Sequence, residues 1–389
     1  MAEWREISIG EMGRVVTGAT PRTGDDAAWG DSIDFVTPTE MSYSSRELAP
    51  CRKLSEDGLE ILRRRMVPSG SVLFACIGFS TGKVAQVSSP VVTNQQVNSL
   101  VPDPAIVDQR FAYYLLRAKS PAIRAIANGS TTPIVNKSMF QAVSVLIPGM
   151  SEQRAVSDAL GALDAKIAVN ERIAGTADEL SRALFGEAVL KLVDGFSDQP
   201  LSSVAEFING RAFTKGATGT GRMVVRIAEI NSGPGASTVY NEIDVPERHL
   251  ARPGDLLFAW SGSLTAARWF RPEAIINQHI FKCIPRDGYP IWLASQLVHR
   301  KLDEFRSIAA DKATTMGHIQ RRHLDEPVPV PGPKTLRALD SVISPLWERA
   351  LVAERESLSL ATLRDTLLPQ LMSGRLRVKD AERIVEDHV

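Results

Sequence analysis

The apolar run Val72–Ile77 leads into Gly78-Phe-Ser-Thr-Gly82-Lys83. A strand that empties into a glycine-rich turn closed by lysine is the outline of a phosphate loop, whose backbone N–H groups cradle a nucleotide's phosphates. The spacing falls short of that chemistry. A phosphate loop needs four residues between its glycines and a hydroxyl after its lysine, whereas here three residues intervene and Val84 follows Lys83. Asp164-Ala-Lys166 pairs an acid with a lysine, but it lies in a stretch that reads as one long helix, ill-suited to a nuclease metal site. The six histidines are dispersed, and His318 and His323 have no matching metal ligands nearby in sequence. Cys51, Cys76 and Cys283 are odd in number and lack zinc-ligand spacing, and they imply no disulfide framework.

The elements that would position such residues are written twice. "SGSVLFACIG" at 69–78 returns as "PGDLLFAWSG" at 253–262, and "TNQQ" at 93–96 as "INQH" at 276–279. "STTPIV" at 130–135 returns as "ATTMGH" at 313–318, and "VLIPG" at 145–149 as "VPVPG" at 328–332. The register holds for about eighty residues, longer than chance likeness of apolar strands would keep it. The second copy reads Gly262-Ser-Leu-Thr-Ala-Ala and has neither the second glycine nor the lysine. Both copies keep a buried strand, a Gly-Ser/Thr turn and a polar Asn-Gln site, as a structural and contact loop would.

Each copy predicts a mixed part followed by a long helix. The β-rich runs are "SVLFACI" and "SPVVTNQQVNSLV" in one, "MVVRIAEI" and "DLLFAW" in the other, with amphipathic helices at 109–119 and 291–306. The first long helix should start after Pro148-Gly149 with Ser151 as N-cap. Val156, Leu160, Leu163 and Ile167, then Ile173, Ala177, Leu180 and Leu184, trace an apolar seam of period near 3.5. The second runs from Pro331-Gly-Pro333 to a stop at Gly374, through Leu336, Leu339, Ile343, Leu346, Ala350, Ala353, Leu360, Leu363, Leu367 and Leu371. Ser344-Pro345 predicts a kink or restart within it. Two such stripes are expected to cover each other as an antiparallel pair.

The chain is long enough, at 389 residues, for two or three cored domains. No apolar run is long enough to span a bilayer, and "MAEWREISIG" reads as neither signal nor transit peptide, so a soluble, cytoplasmic protein without membrane contact is expected. Its 45 basic and 45 acidic residues cancel, which argues mildly against nucleic acid. Arg63-Arg64-Arg65 after "EDGLEIL" reads as a solvated helix face, with a phosphate clamp as the sharper option.

Three stretches resemble the specificity subunit of type I restriction–modification systems. "IPGMSEQRAVSDALGALDAKIAVNERI" at 147–173 is similar to the family's central conserved helix, and "LRDTLLPQLMSGRLRV" at 363–378 to the end of its distal one. "WREISIGEMGRVVTGATPRTG" at 4–24 looks like the start of a target-recognition domain. The resemblance implies an α+β fold: two similar mixed α/β target-recognition domains at 1–149 and 198–332, separated by conserved helices at 150–197 and 333–375 that pair as an antiparallel coiled coil with internal pseudo-two-fold repeat, and a tail at 376–389. It implies a non-catalytic subunit that recognises an asymmetric bipartite site in double-stranded DNA and holds two modification (methyltransferase) subunits, with restriction subunits in the complete enzyme. S-adenosylmethionine is then expected in the partner methyltransferase and no cofactor in this chain. The Asn/Asp-Pro-Pro-aromatic signature of amino-methyltransferases is absent from the sequence.

DNA-contacting residues should be polar, on loops and placed alike in both copies. Candidates are Arg22, Thr39, Ser80, Thr81, Lys83, Gln95, Thr131 and Lys137 in the first copy. In the second they are Arg211, Lys215, Arg226, Ser263, Gln278, Lys312, Thr314 and His318. Gln and Arg suit base edges, Lys and hydroxyls suit phosphates. Asn94/Gln95 and Asn277/Gln278 could instead brace the fold. Two other readings stay open: a stand-alone nucleotide-binding enzyme using Gly78–Lys83, and a two-lobed protein scaffold that never touches DNA.

Overall fold

Val72–Ala75 is buried at every position, which is why it reads apolar throughout rather than alternating. The same holds for Leu256–Ala259, its counterpart in the repeat. The computed structural model describes residues 4–22, 24–43, 45–49, 51–126, 134–191, 195–286, 288–310 and 318–388. They form two units: 1–166 with 360–389, and 167–359. The division cuts through both long helices rather than falling at their ends.

The first unit runs β1 (Arg5–Ser8), β2 (Gly13–Thr17), β3 (Trp29–Gly30), β4 (Ile33–Val36), β5 (Arg52–Leu54), α1 (Glu56–Leu62), β6 (Val72–Ala75), β7 (Val84–Gln86), β8 (Val91–Thr93), β9 (Val97–Pro102), α2 (Gln109–Ile126), α3 (Lys137–Gln141) and β10 (Ser144–Ile147), then enters α4 (Met150–Leu190). One sheet is antiparallel in the order β2-β9-β6-β7. A second has the order β3-β5-β4-β8, with β4 and β8 parallel. β1 pairs with β10.

The second unit continues with β11 (Phe196–Pro200), α5 (Leu201–Val204), β12 (Ala205–Asn209), β13 (Arg222–Val225), α6 (Ile227–Ser232), β14 (Val239–Asn241), β15 (Leu250–Ala251), β16 (Leu256–Ala259), β17 (Thr265–Arg268), β18 (Ala274–Ile276), β19 (Ile280–Pro285), α7 (Ile291–Ala310), β20 (Pro327–Pro331) and α8 (Pro333–Met372). After α8 the chain returns to the first unit as α9 (Val378–Glu386). The antiparallel order repeats as β12-β19-β16-β17 and the β1-β10 pair as β11-β20, while the other sheet, β14-β13-β18-β15, keeps the parallel pair, β13 and β18, at its centre rather than at its edge. The internal repeat is thus a repeat of fold and not only of letters.

Within the first unit, the two helix signatures meet through their charged residues. Buried Arg364 of α8 donates to Asp164 of α4 at 2.6 Å and to Asp365 at 3.0 Å. The Tyr114 hydroxyl donates to the other Asp164 oxygen at 2.6 Å, and Arg117 to Asp365 at 2.9 Å. Within the second unit, Asn170 donates to Glu356 at 2.9 Å, Ala174 and Ala177 are buried with Ala350 and Ala353, and Phe185 packs in one cluster with Ile343 and Trp347. Partners on α8 recede as α4 advances, so the helices run antiparallel in this unit.

Most of the expected seam is kept, with Ile173, Ala177, Leu346, Ala350 and Ala353 packed together and Leu184, Leu336, Leu339 and Ile343 in the neighbouring cluster, and Leu180 is the departure from it. Asn170, Ala174, Ala177, Ser181 and Phe185 face inward, while Leu180 is 45% exposed. Alanine contacts let helix axes approach closely, and the inward face follows 3.6 residues per turn rather than the densest leucines. α8 does not restart at Pro345, because Ser344 Oγ donates to Asp340 at 2.6 Å instead of capping a new helix. α4 begins at Met150, which puts Ser151 inside the first turn. "MVVRIAEI" is only half strand: β13 ends at Val225 and α6 follows.

Candidate nucleic-acid interface

In each unit a glycine at the end of the first sheet strand lies directly against the Asn-Gln turn. A Cβ on Gly18 would sit 2.1 Å from the Thr93 carbonyl oxygen, and one on Gly210 would sit 2.0 Å from that of Asn277. Only glycine allows this approach. The turn is stitched to the same three neighbours in both copies, with the bond to the strand exit reversed in direction between them. Ala19 N–H donates to Thr93 O (2.9 Å), Asn94 N–H to Val36 O (3.0 Å) and Cys76 N–H to Gln96 O (2.8 Å). In the second unit Gln278 N–H donates to Arg211 O (2.9 Å), Asn277 N–H to Val225 O (3.1 Å) and Trp260 N–H to His279 O (3.1 Å).

A fourth segment closes each cluster. Val135 N–H donates to Cys76 O and Ile319 N–H to Trp260 O, flanking the bridges Ile77–Ile134 and Ser261–His318. The fold therefore gathers five segments, distant in sequence, at one end of the antiparallel sheet of each unit. This separates the two halves of the Asn-Gln pair. Asn94 and Asn277 are buried braces, whereas Gln95 and Gln278 are exposed at the turn's tip. Thr20 Oγ1 donates to Gln95 Oε1 at 2.7 Å and so orients its amide.

The side chains around the turns differ between units. In the second, the Trp260 ring lies 5.2 Å from His279 and 6.2 Å from His318, and its Nε1–H donates to Asn209 at 2.8 Å. His279 is held at φ 73°, a left-handed conformation that costs a non-glycine residue about 1–2 kcal/mol. In the first, Phe79 projects fully into solvent at 102% exposure. Its loop is nevertheless braced. Tyr43 OH donates to Phe79 O at 2.7 Å, Thr81 Oγ1 to Gly78 O at 2.7 Å, and Ser120 Oγ to Gly82 O at 2.5 Å. An apolar side chain held in water by a stiff loop is preorganised for contact.

The candidates read from the sequence separate accordingly. Gln95, Ser80, Arg211, Ser263, Gln278 and His318 lie on the gathered loops, all of them exposed or part-exposed. Arg22, Lys137 and Lys215 are exposed on segments leading from those loops, and Thr39 is exposed on the turn after β4. Thr81 is buried, with its hydroxyl closing its own turn. Lys83 Nζ donates to Pro38 O at 2.9 Å, and burial holds its pKa below the ordinary lysine value although Glu40 opposes this. Thr131, Lys312 and Thr314 lie outside the described residues. In the Arg63–Arg65 run, Arg63 pairs with Glu60 and Arg65 donates to Thr17 O at 2.9 Å. Sequence reasoning missed Phe79 and Trp260, because a lone aromatic beside an apolar strand reads as core.

Arg226 serves the fold. It donates to buried Glu229 at 2.6 Å and to Ser237 O at 2.7 Å, tying down the start of α6. Burial raises the Glu229 pKa, but hydrogen bonds from Arg226 and Thr238 outweigh it, so the folded value lies below the ordinary one of 4.5. This stability is present above pH 4.5 and is lost as pH falls through the lower folded value. Glu229→Gln should cost about 1.5–3 kcal/mol in urea denaturation at pH 7 and progressively less as pH falls from the ordinary value of 4.5 through the lower folded one. An equal loss across that range would contradict this assignment.

The Gly78–Lys83 segment connects two antiparallel strands, β6 and β7, through a short 3-10 turn. A phosphate loop opens a helix instead. Among the described residues no group of three or more His, Cys, Asp or Glu side chains could hold a metal ion, and no helix is long and apolar enough to cross a membrane.

The type I restriction modification DNA specificity domain matches residues 1–176. The MjaIX type I restriction enzyme specificity subunit of Methanocaldococcus jannaschii is 23% identical, over 97% of this chain and 94% of its own. The chain is thus similar over nearly its whole length to a type I restriction–modification specificity subunit, and its first 176 residues match that family's DNA specificity domain. The HindI specificity subunit of Haemophilus influenzae is 26% identical over 37% of this chain and 32% of its own. The crystal structure of a type I restriction–modification S subunit from M. genitalium shares the fold: TM-score 0.57 at 14% identity, covering 95% of this chain and 96% of that one. Specificity subunits are recognised as non-catalytic components of their systems.

Proposed function

We propose that this chain reads an asymmetric, two-part sequence in duplex DNA, one part with the loop cluster of each unit. The observation that carries the reading is the pair of equivalent Gln-tipped turns, each seated on a glycine and ringed by different side chains. A shared scaffold supports two readers, and diverged contacts give two different half-sites. Gln95 and Gln278 can pair bidentately with adenine edges, each worth about 1–3 kcal/mol of discrimination. Phe79 and Trp260 supply apolar contact to a thymine methyl or a base face. Exposed Arg22, Lys137 and Lys215 suit phosphates.

The catalytic steps then belong to partners. Two methyltransferase subunits would carry S-adenosylmethionine, and the complete enzyme would add restriction subunits; this chain supplies no cofactor-binding group in the proposal. Hydroxyl-radical footprinting of the assembled complex tests the reading. Two protected zones separated by an unprotected gap are expected. One continuous zone, or none that weakens as salt rises, would contradict it.

A further inference from the structure

Beside the reading turn of the second unit lies a cleft of about 240 Å³ whose lining includes Glu206, Asn209, Arg211, Arg248, His249 and Arg321. Three guanidinium groups face one carboxylate there. Arg248 pairs with that carboxylate, Glu206, at 2.8 Å. Arg211 and Arg321 are exposed and form no ion pair among the described residues. His249 is only 4% exposed, packed edge-on against Phe213, and its buried Nδ1 has no hydrogen-bond partner. A buried orphan nitrogen is costly and in native proteins is normally completed by a partner, water or ion. Like-charged guanidiniums around it select an anion, and their planar forks match phosphate oxygens.

The cleft is joined to the reading turn by covalent and hydrogen-bond links. Arg211 O accepts from Gln278 N–H at 2.9 Å, and Asn209 Oδ1 holds the Trp260 indole at 2.8 Å. We infer that this cleft is a phosphate site, filled in the complex by a backbone phosphate flanking the half-site that the second unit reads. Arg211 and Arg321 provide the charge and His249 Nδ1–H, in the tautomer that carries the proton there, the buried donor. The source of the phosphate rests on the proposed DNA reading; the site itself does not. Arg248, His249 and Arg321 are far apart in sequence from Arg211, and folding brings them together.

The test compares the full chain with its R211A/R321A variant, both exposed positions whose loss leaves the core intact. Binding is measured across a salt series to the cognate duplex and to a scrambled duplex of equal length, and inorganic phosphate is titrated calorimetrically at low ionic strength. The variant should bind both duplexes about tenfold more weakly, with a salt slope smaller by about one to two and no saturable phosphate binding. If the wild type ignores duplex DNA yet binds inorganic phosphate in a manner the variant loses, the DNA reading fails and the site stands as one for a free phosphate. If the wild type binds duplex and the variant keeps its affinity and slope, the phosphate site is overturned and the DNA reading survives. No saturable phosphate binding by the wild type together with no duplex binding overturns both.

Discussion

Replacing Arg364 with alanine should lower the stability of the first unit by about 3–5 kcal/mol, the largest effect expected of any single substitution in this chain. Arg364 is 3% exposed and bonds both Asp164 and Asp365. Asp164 also accepts the hydroxyl of Tyr114, a residue buried in the same unit. Burial pushes the tyrosine's pKa up, and the adjacent carboxylate adds to that shift, so the phenol stays a proton donor to Asp164. Removing the guanidinium leaves a carboxylate out of water with one neutral donor. The double substitution Asp164→Leu with Arg364→Met should recover most of the loss, because it deletes both charges and keeps the volume filled. Chemical denaturation of the wild type and the two variants checks this. A loss under about 1 kcal/mol for R364A would show that the pair is solvated and unimportant.

The second large effect concerns reading. Gly210→Ala puts a methyl group 2.0 Å from the Asn277 carbonyl oxygen and 2.4 Å from that of Ile276, both backbone atoms. The turn that carries Gln278 has to move. Such overpacking costs about 1–3 kcal/mol of stability. The displaced turn should lose a base contact as well, about 10–100-fold in discrimination. Gly18→Ala does the same to the other turn, 2.1 Å from Thr93 O and 2.2 Å from Asn94 O. Each substitution acts inside one unit, so each should damage one half of the recognised sequence and leave the other half's rules intact.

The repeat was legible because its buried strands and Asn-Gln turns must keep their residue types to hold the same hydrogen bonds. The long helices were legible because their apolar residues recur along an unbroken 41-residue and a 40-residue element. The face that meets the partner helix was legible in most of its residues, Ala177, Ile343, Ala350 and Ala353 among them. Leu180 was misplaced, because it weighs heavily in an apolar pattern while Ala174 and Ser181 take the inward positions around it. The charged helix signatures concealed their role for a related reason: Asp164 and Arg364 are two hundred positions apart, and only folding shows that each is the other's partner.

The candidate site was legible as a set of loops but not side chain by side chain. Gln95 and Asn94 are equivalent as letters, and the turn decides which one faces water. Arg226 reads as a free cation until Glu229 is found beneath it. Arg321 and Arg248 carry no pattern at all, since a cleft assembled from three separate segments has no spacing to detect.

The most direct measurement is base-resolution mapping of DNA methylation in cells carrying the wild-type gene, the G18A variant, the G210A variant or no gene. A methylated two-part motif should vanish without the gene, and the two variants should each relax a different half of it while the unread gap keeps its length. A motif that changes as a whole in both variants, or that persists when the gene is removed, would contradict the division of reading between the two units.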